Sequence, residues 1–115
     1  MFDFEKLEVY VKARELNREV LKLLRECRGI DSYLRDQLRR AIISVVINIA
    51  EGSGKFSKAD KRNFYTIARG SVYEAVSLLE LIYQEKQIDW ECFHDFYQKL
   101  EVVSKMLLGL INSQR

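Results

Sequence analysis

The chain has 115 residues, of which 48% are hydrophobic and 31% charged, with a formal net charge of +2 and no proline. This composition excludes a disordered chain, and the length suffices to close one hydrophobic core without disulfides or metal, so we predict a single globular domain. The absence of proline favours long helices with short connections. The net charge is too small to indicate nucleic-acid binding by itself, so only local clusters of basic residues can indicate it.

The first helix is predicted over residues 4–27. Its apolar residues recur at alternating spacings of four and three, as on the inward face of an amphipathic helix: Val9, Ala13, Leu16, Val20, Leu23 and Cys27. Charged residues are frequent between them and include five basic ones: Lys12, Arg14, Arg18, Lys22 and Arg25. Gly29 then indicates the stop, because glycine readily adopts the left-handed conformation that ends helices.

The second helix is predicted over residues 33–51, with Asp31 or Ser32 as its N-cap. Residues 41–50 are apolar almost all round, and alone this β-branched run is also typical of a buried strand. We favour a helix because no other segment offers a strand to pair with and because helical spacing continues through the run, in Leu34, Leu38, Ala41, Val45 and Ile49. A helix that is apolar on several sides is covered on several sides, which favours an oligomer.

The clearest break in the chain is Glu51-Gly52-Ser53-Gly54-Lys55, since two glycines close together end a helix. A capping box from Ser57 to Asp60 begins the third helix, predicted over residues 58–87, and Asp89 caps the fourth, predicted over residues 90–111. Helical spacing predicts the inward stripe of the third helix as Phe64, Ile67, Ser71, Ala75, Leu78 and Ile82. Short connections make each helix antiparallel to the one before. We therefore predict an all-α fold, an antiparallel up-down-up-down four-helix bundle over residues 1–115, with Cys27 and Cys92 at the same end.

Polar residues recur along the second helix at intervals of three or four: Gln37, Arg40, Ser44, Asn48 and Glu51. The third helix carries a complementary row: Thr66, Gly70, Tyr73, Glu74 and Ser77. Because buried polar groups need hydrogen-bond partners, we interpret the rows as a network that fixes the register of the two helices. The alternative is a polar pocket or subunit contact in which Arg40, Tyr73 and Glu74 are the working groups. A mid-helix glycine is costly, so we expect a close backbone approach at Gly70.

Basic residues cluster around the start of the third helix and near the start of the second. They could neutralise phosphates, and Phe56 and Tyr65 lie close enough in sequence to stack on bases. The alternative is that these basic residues form a solvent-exposed face whose charge is balanced by neighbouring acidic residues. The candidate nucleic-acid-binding residues are Arg35, Arg39, Lys55, Lys58, Lys61 and Arg62.

No pattern indicates catalysis or metal binding. The only histidine, His94, lies on a helix face, and no residues have metal-ligand spacing, so we expect no enzyme activity, metal or cofactor. The first residues lack the basic start and apolar run of a signal peptide, and no apolar stretch is long enough to cross a bilayer. We therefore expect a cytoplasmic protein with reduced thiols and no membrane partner.

Several of these residues also resemble one family. The match includes Gln37-Leu38-Arg39-Arg40-Ala41, Ser44, Asn48-Ile49-Ala50-Glu51-Gly52, Gly54, Ser57, Asp60, Phe64-Tyr65, Ile67-Ala68, Gly70-Ser71 and Glu74, besides the opening Phe4-Glu5-Lys6-Leu7-Glu8-Val9-Tyr10. These motifs resemble the bacterial four-helix-bundle proteins of unknown function that are encoded in intervening sequences of 23S ribosomal RNA genes. One departure is Val46, where many members have proline.

The resemblance implies a homopentameric ring with a link to RNA, and it supplies no catalytic residue. A more distant similarity, to accessory proteins of diversity-generating retroelements, implies basic pentameric barrels that hold nucleic acid. Together with the polar rows, the resemblance to the intervening-sequence family implies a structural or subunit-contact role for eight residues: Arg40, Ser44, Asn48, Glu51, Gly52, Gly70, Tyr73 and Glu74. We expect a non-enzymatic oligomer associated with RNA. The alternative is a structural or adaptor module that binds another protein and has no nucleic-acid role.

Overall fold

The computed structural model describes all 115 residues and contains four α-helices, preceded by a 3-10 turn at Asp3–Lys6. The helices are α1 (Glu8–Glu26), α2 (Ser32–Ser53), α3 (Lys58–Gln84) and α4 (Trp90–Ser113). Each helix packs against the next in sequence, α1 also packs against α4, and α2 and α3 share the most extensive interface. The predicted all-α up-down-up-down bundle is confirmed.

Side-chain caps determine where three of the helices begin. Asp31, Ser57 and Asp89 each accept a hydrogen bond from the backbone N–H three residues later, at 3.0, 3.0 and 2.8 Å. Each such cap contributes about 1 kcal/mol to stability. The first helix differs from its prediction, because Leu7 is extended and no side chain caps α1. Residues 3–6 consequently form the separate 3-10 turn instead of the first turn of α1.

The core runs along the bundle axis, and its largest fully buried side chains come from all four helices: Val20, Leu38, Ile42, Ile49, Leu79, Ile82, Leu100 and Leu107. In α3 most of the predicted stripe is buried, and the buried face extends beside it to Ala68, Val72 and Leu79. Ile67, predicted to point inward, is 44% exposed instead. The apolar residues of α3 allow more than one inward face, and packing against α2 and α4 selects one of them.

The first glycine of the predicted break lies inside α2, because the helix continues to Ser53. Gly52 is buried, and a Cβ built there would lie 2.7 Å from the Tyr65 ring and 3.0 Å from Phe64 Cβ. At Gly70, by contrast, an added Cβ would meet no atom within 4 Å. The close approach of helices expected at Gly70 is therefore found at Gly52, and Gly70 is open within the single chain.

The two cysteines lie at the same end of the bundle, as the topology predicts. The Cys27 thiol donates a hydrogen bond to the Gln87 carbonyl at 3.4 Å, in the loop that precedes α4, and Cys92 lies in the first turn of α4. Both are free thiols. Burial raises the pKa of the Cys92 thiol, with smaller contributions from Asp89, Cys27 and Asp95, so Cys92 stays protonated at neutral pH.

Candidate nucleic-acid interface and subunit contact

The six candidate nucleic-acid-binding residues lie at opposite ends of the bundle. Four of them, Lys55, Lys58, Lys61 and Arg62, surround the turn at residues 54–57, where α2 and α4 end and α3 begins. Arg35 and Arg39 lie in the first turns of α2. The 22 residues of α2 rise about 33 Å at 1.5 Å per residue, so the structure does not bring the two groups together.

At the first of these ends, the turn cluster comprises Lys55, Phe56, Lys58, Lys61 and Arg62. The Lys61 ammonium donates to the Ser53 carbonyl at 2.8 Å, and the Arg62 guanidinium donates to the Gln114 carbonyl. These carbonyls belong to the C-terminal ends of α2 and α4, where the helix dipole favours a cation. None of the four basic side chains in the cluster forms an ion pair with a carboxylate.

The two aromatic residues predicted to stack on bases have opposite environments. Phe56 is fully exposed at the tip of the turn. Tyr65 is only 2% exposed beneath Gly52, and burial raises the pKa of its hydroxyl, so the prediction that Tyr65 can stack on a base is wrong. Phe64 has a different role, because the Lys55 ammonium lies 4.8 Å from the centroid of its ring, a cation–π contact that positions Lys55.

The sequence patterns did not indicate that Arg115 belongs to this end. The contact between Arg62 and Gln114 places the end of the chain beside the turn cluster, and Arg115 donates to the Asn112 side chain at 3.1 Å. The up-down topology could have identified the residue, since the second and fourth helices must end together.

The second predicted group, Arg35 and Arg39, is largely engaged within the chain. The half-buried Arg35 donates to the Cys27 carbonyl at 3.1 Å and so holds the α1–α2 loop. Arg39 forms an ion pair with Asp36 at 3.3 Å. Arg39 therefore has a carboxylate partner within the chain, whereas no basic side chain of the turn cluster has one.

The predicted polar network between α2 and α3 exists but is small. Ser44 Oγ and Ser71 Oγ are 2.8 Å apart, and Asn48 Nδ2 donates to the Ser44 carbonyl at 2.9 Å and to its Oγ at 3.0 Å. Ser71 belongs to the predicted inward stripe of α3 and not to its predicted polar row, so the spacing does not mark it as a partner of Ser44. Only the Ser44–Ser71 bond joins the two helices, whereas both Asn48 bonds stay within α2. That the network fixes their register stays a prediction.

The other predicted members of the network lie outside it. Arg40, Glu51 and Glu74 are exposed and form no side-chain hydrogen bond or ion pair in the single chain. Tyr73 lies on the α4 side of α3, where its hydroxyl accepts a hydrogen bond from Arg69 at 3.0 Å. The structure therefore does not assemble Arg40, Tyr73 and Glu74 into one pocket.

An apolar surface remains exposed where α2 and α3 meet. We call it the α2–α3 face and define it by three isoleucines, Ile43, Ile47 and Ile67, which are 37%, 50% and 44% exposed. Ser44 lies opposite Ser71, so the antiparallel helices place Ile47 and Ile67 beside each other, one turn further along the same seam. The unpaired charges of Arg40, Glu51 and Glu74 surround it, an apolar centre and polar rim like those of protein interfaces.

No catalytic or metal-binding arrangement accompanies these surfaces. His94 stacks on Trp90 with ring centroids 4.5 Å apart. No group of three or more His, Cys, Asp or Glu side chains is placed to hold a metal ion. None of the helices combines the length and apolar character needed to cross a membrane.

Comparison with known proteins relates the chain to one family. A family profile described as 23S rRNA-intervening sequence protein matches residues 5–109. A solved structure from Bacteroides thetaiotaomicron VPI-5482, described as a protein with unknown function from the S23 ribosomal protein family, has a similar fold with a TM-score of 0.83. It is 24% identical, and the match covers 90% of this chain and 97% of that one. No curated protein matches the chain.

Proposed function

Because the chain belongs to the 23S rRNA-intervening sequence protein family, we propose that it is a non-enzymatic, self-associating cytoplasmic protein that binds RNA through the turn cluster. The observation that carries this proposal is the group of four basic side chains, Lys55, Lys58, Lys61 and Arg62, that lie at one end of the bundle without a carboxylate partner. Unpaired cations in one place are what a phosphate backbone requires.

The local charge balance supports this choice of surface. Between Glu51 and Arg62 there are four basic residues and two acidic ones, and Arg115 adds a further cation at the same end. Lys61 and Arg62 are already oriented by backbone carbonyls, so less side-chain entropy is lost when a phosphate binds. Arg35 and Arg39 contribute less to this proposal, because Arg39 is already paired with the Asp36 carboxylate and only these two candidates lie at the other end of the bundle.

Self-association, in this proposal, uses the α2–α3 face. Burial of three half-exposed isoleucines would supply the apolar centre of an interface, and Arg40, Glu51 and Glu74 would find partners on another copy. Gly70 belongs to the same surface, since a mid-helix glycine with open space around it allows a second chain to approach closely. The homopentamer implied by the resemblance is the assembly we propose.

A second candidate function, an adaptor for another protein, is favoured by a groove between α3 and α4. The groove has a volume of about 370 Å³, an apolar floor and two carboxylates, and its residues include Val72, Val76, Glu80, Tyr97, Leu100 and Glu101. Such a groove fits a cationic side chain carried on an apolar segment. As an adaptor, the protein should capture one specific protein partner from nuclease-treated extracts, and the substitution Val76→Glu should abolish that capture. If the purified protein also binds no RNA, the adaptor function is favoured over RNA binding.

Reversing two charges of the turn cluster should weaken RNA binding. The double variant Lys55→Glu/Lys58→Glu is expected to lose at least tenfold in affinity at low salt. The slope of log affinity against log salt should fall by roughly 1.4, because each contact between a cation and a single-stranded phosphate contributes about 0.7. Fluorescence anisotropy with a labelled RNA, measured across a salt series, provides both quantities.

The matched control is Lys22→Glu/Lys105→Glu, which changes the net charge equally at two exposed lysines away from the turn cluster. The control should bind RNA nearly as the unmodified protein does. If both double variants lose the same RNA affinity, binding depends only on the net charge of the protein, and the turn cluster is not the binding surface. An unmodified protein that binds no RNA at low ionic strength, or binds it equally at all salt concentrations, contradicts the proposed function.

A further inference from the structure

Phe56 is the most exposed large apolar side chain of the protein, although the turn that carries it is well fixed. The N–H groups of Gly54 and Lys55 donate to the carbonyls of Glu51 and Gly52, each at 3.2 Å. Lys61 holds the preceding segment through Ser53, and Ser57 caps α3 directly after Phe56. An ordered backbone thus holds the ring in water, and the side chain makes no contribution to the hydrophobic core.

The groups beside Phe56 are cationic and exposed. Lys55 precedes it and Lys58 follows two residues later, both exposed, while the half-buried Lys61 and Arg62 lie one turn further along α3. Lys55 is held over the Phe64 ring, so its charge has a defined position. The acids at this end are Glu51 and Asp60, and neither forms an ion pair with the cluster. An aromatic face between cations is the arrangement that binds a nucleic acid by stacking and by phosphate contacts together.

We infer that the turn cluster binds single-stranded RNA, with Phe56 stacked on an unpaired base and the flanking lysines on the adjacent phosphates. This inference rests on the proposed function and adds the class of RNA. A duplex covers the faces of its bases by stacking them on one another, so only an unpaired or terminal base offers a face to the ring. Stacking tolerates any base because every base has a π-face, so binding should depend little on sequence.

The test compares a labelled 20-nucleotide unstructured RNA with a blunt-ended duplex of the same length at fixed low salt, by fluorescence anisotropy on the full chain. Phe56→Ser should lower affinity for the single strand by about 5- to 150-fold, the range for loss of one stacked base. Its salt slope should not change, because no cation is removed. Its affinity for the duplex should change much less than its affinity for the single strand, because the duplex offers only the outer faces of its two terminal base pairs. Phe56→Trp should restore single-strand binding, because a larger aromatic face still stacks. Since Phe56 contacts no core residue, circular dichroism should report an unchanged fold.

The matched control is Tyr33→Ser, which removes another exposed aromatic ring at the opposite end of the bundle and should leave RNA binding unchanged. If Phe56→Ser binds the single strand normally while Lys55→Glu/Lys58→Glu does not, the stacking inference is overturned and the proposed function survives. If the unmodified protein binds neither the single strand nor the duplex, the stacking inference and the proposed function are both contradicted. If Phe56→Ser instead lowers the assembly mass in light scattering at unchanged RNA affinity, the ring contacts a second copy and the inference is likewise overturned.

Discussion

Gly52→Ala should lower the free energy of unfolding by about 1–3 kcal/mol, the usual effect of adding a methyl group to a filled site. The added Cβ would lie 2.7 and 2.9 Å from two ring carbons of Tyr65 and 3.0 Å from Phe64 Cβ. Tyr65 is buried and cannot swing into solvent, so α2 and α3 must separate locally. Urea denaturation followed by circular dichroism measures the loss.

The same substitution at Gly70 or Gly109 serves as the matched control, with the opposite sign, when unfolding is measured at a concentration at which the chain is monomeric. Both glycines lie inside helices, and an added Cβ at either would meet no atom within 4 Å. Alanine there should raise the free energy of unfolding by about 0.5–1 kcal/mol, because it reduces the entropy of the unfolded chain. If Gly52→Ala stabilises the protein as much as the two controls do, α2 and α3 do not approach closely at Gly52.

Ile47→Asp should convert the assembly to monomers at micromolar concentration. Ile47 is half exposed in the single chain, so the monomer tolerates a polar residue there, but an interface that covers it does not. A hot-spot residue near the centre of an interface contributes about 2 kcal/mol or more, about 30-fold in the association constant. An unpaired buried carboxylate adds to the loss. Light scattering and sedimentation equilibrium report the mass.

Val102→Asp is the matched control, since Val102 is a β-branched residue with similar exposure on α4 and lies outside the α2–α3 face. It should keep the assembly intact. Gly70→Ala gives a second check, because it should stabilise the fold and still weaken association by obstructing the close approach of another chain. A stable monomer of the unmodified protein, or an Ile47→Asp variant of unchanged mass, contradicts the proposed self-association.

The features that the sequence predicted correctly are local ones. The N-cap residues Ser57 and Asp89 act on amides three residues away, so neighbouring positions suffice to identify them. Apolar spacing likewise predicts each helix and, with short connections, the order up-down-up-down. The basic residues at Lys55 and Lys58 also follow from sequence, because a short turn between two helices must lie on the surface.

Only the tertiary structure decided how each helix is rotated and therefore which of two similar residues has a given role. Ile67 is exposed although Ser71 is buried, Phe56 is available for stacking although Tyr65 is covered, and the close contact occurs at Gly52 and not at Gly70. Periodicity fixes the spacing of an apolar stripe, but α2 and α3 carry apolar residues on several sides, so spacing alone permits several rotations. Contacts between residues far apart in sequence select one of them, and that choice leaves the α2–α3 face and the turn cluster at the surface.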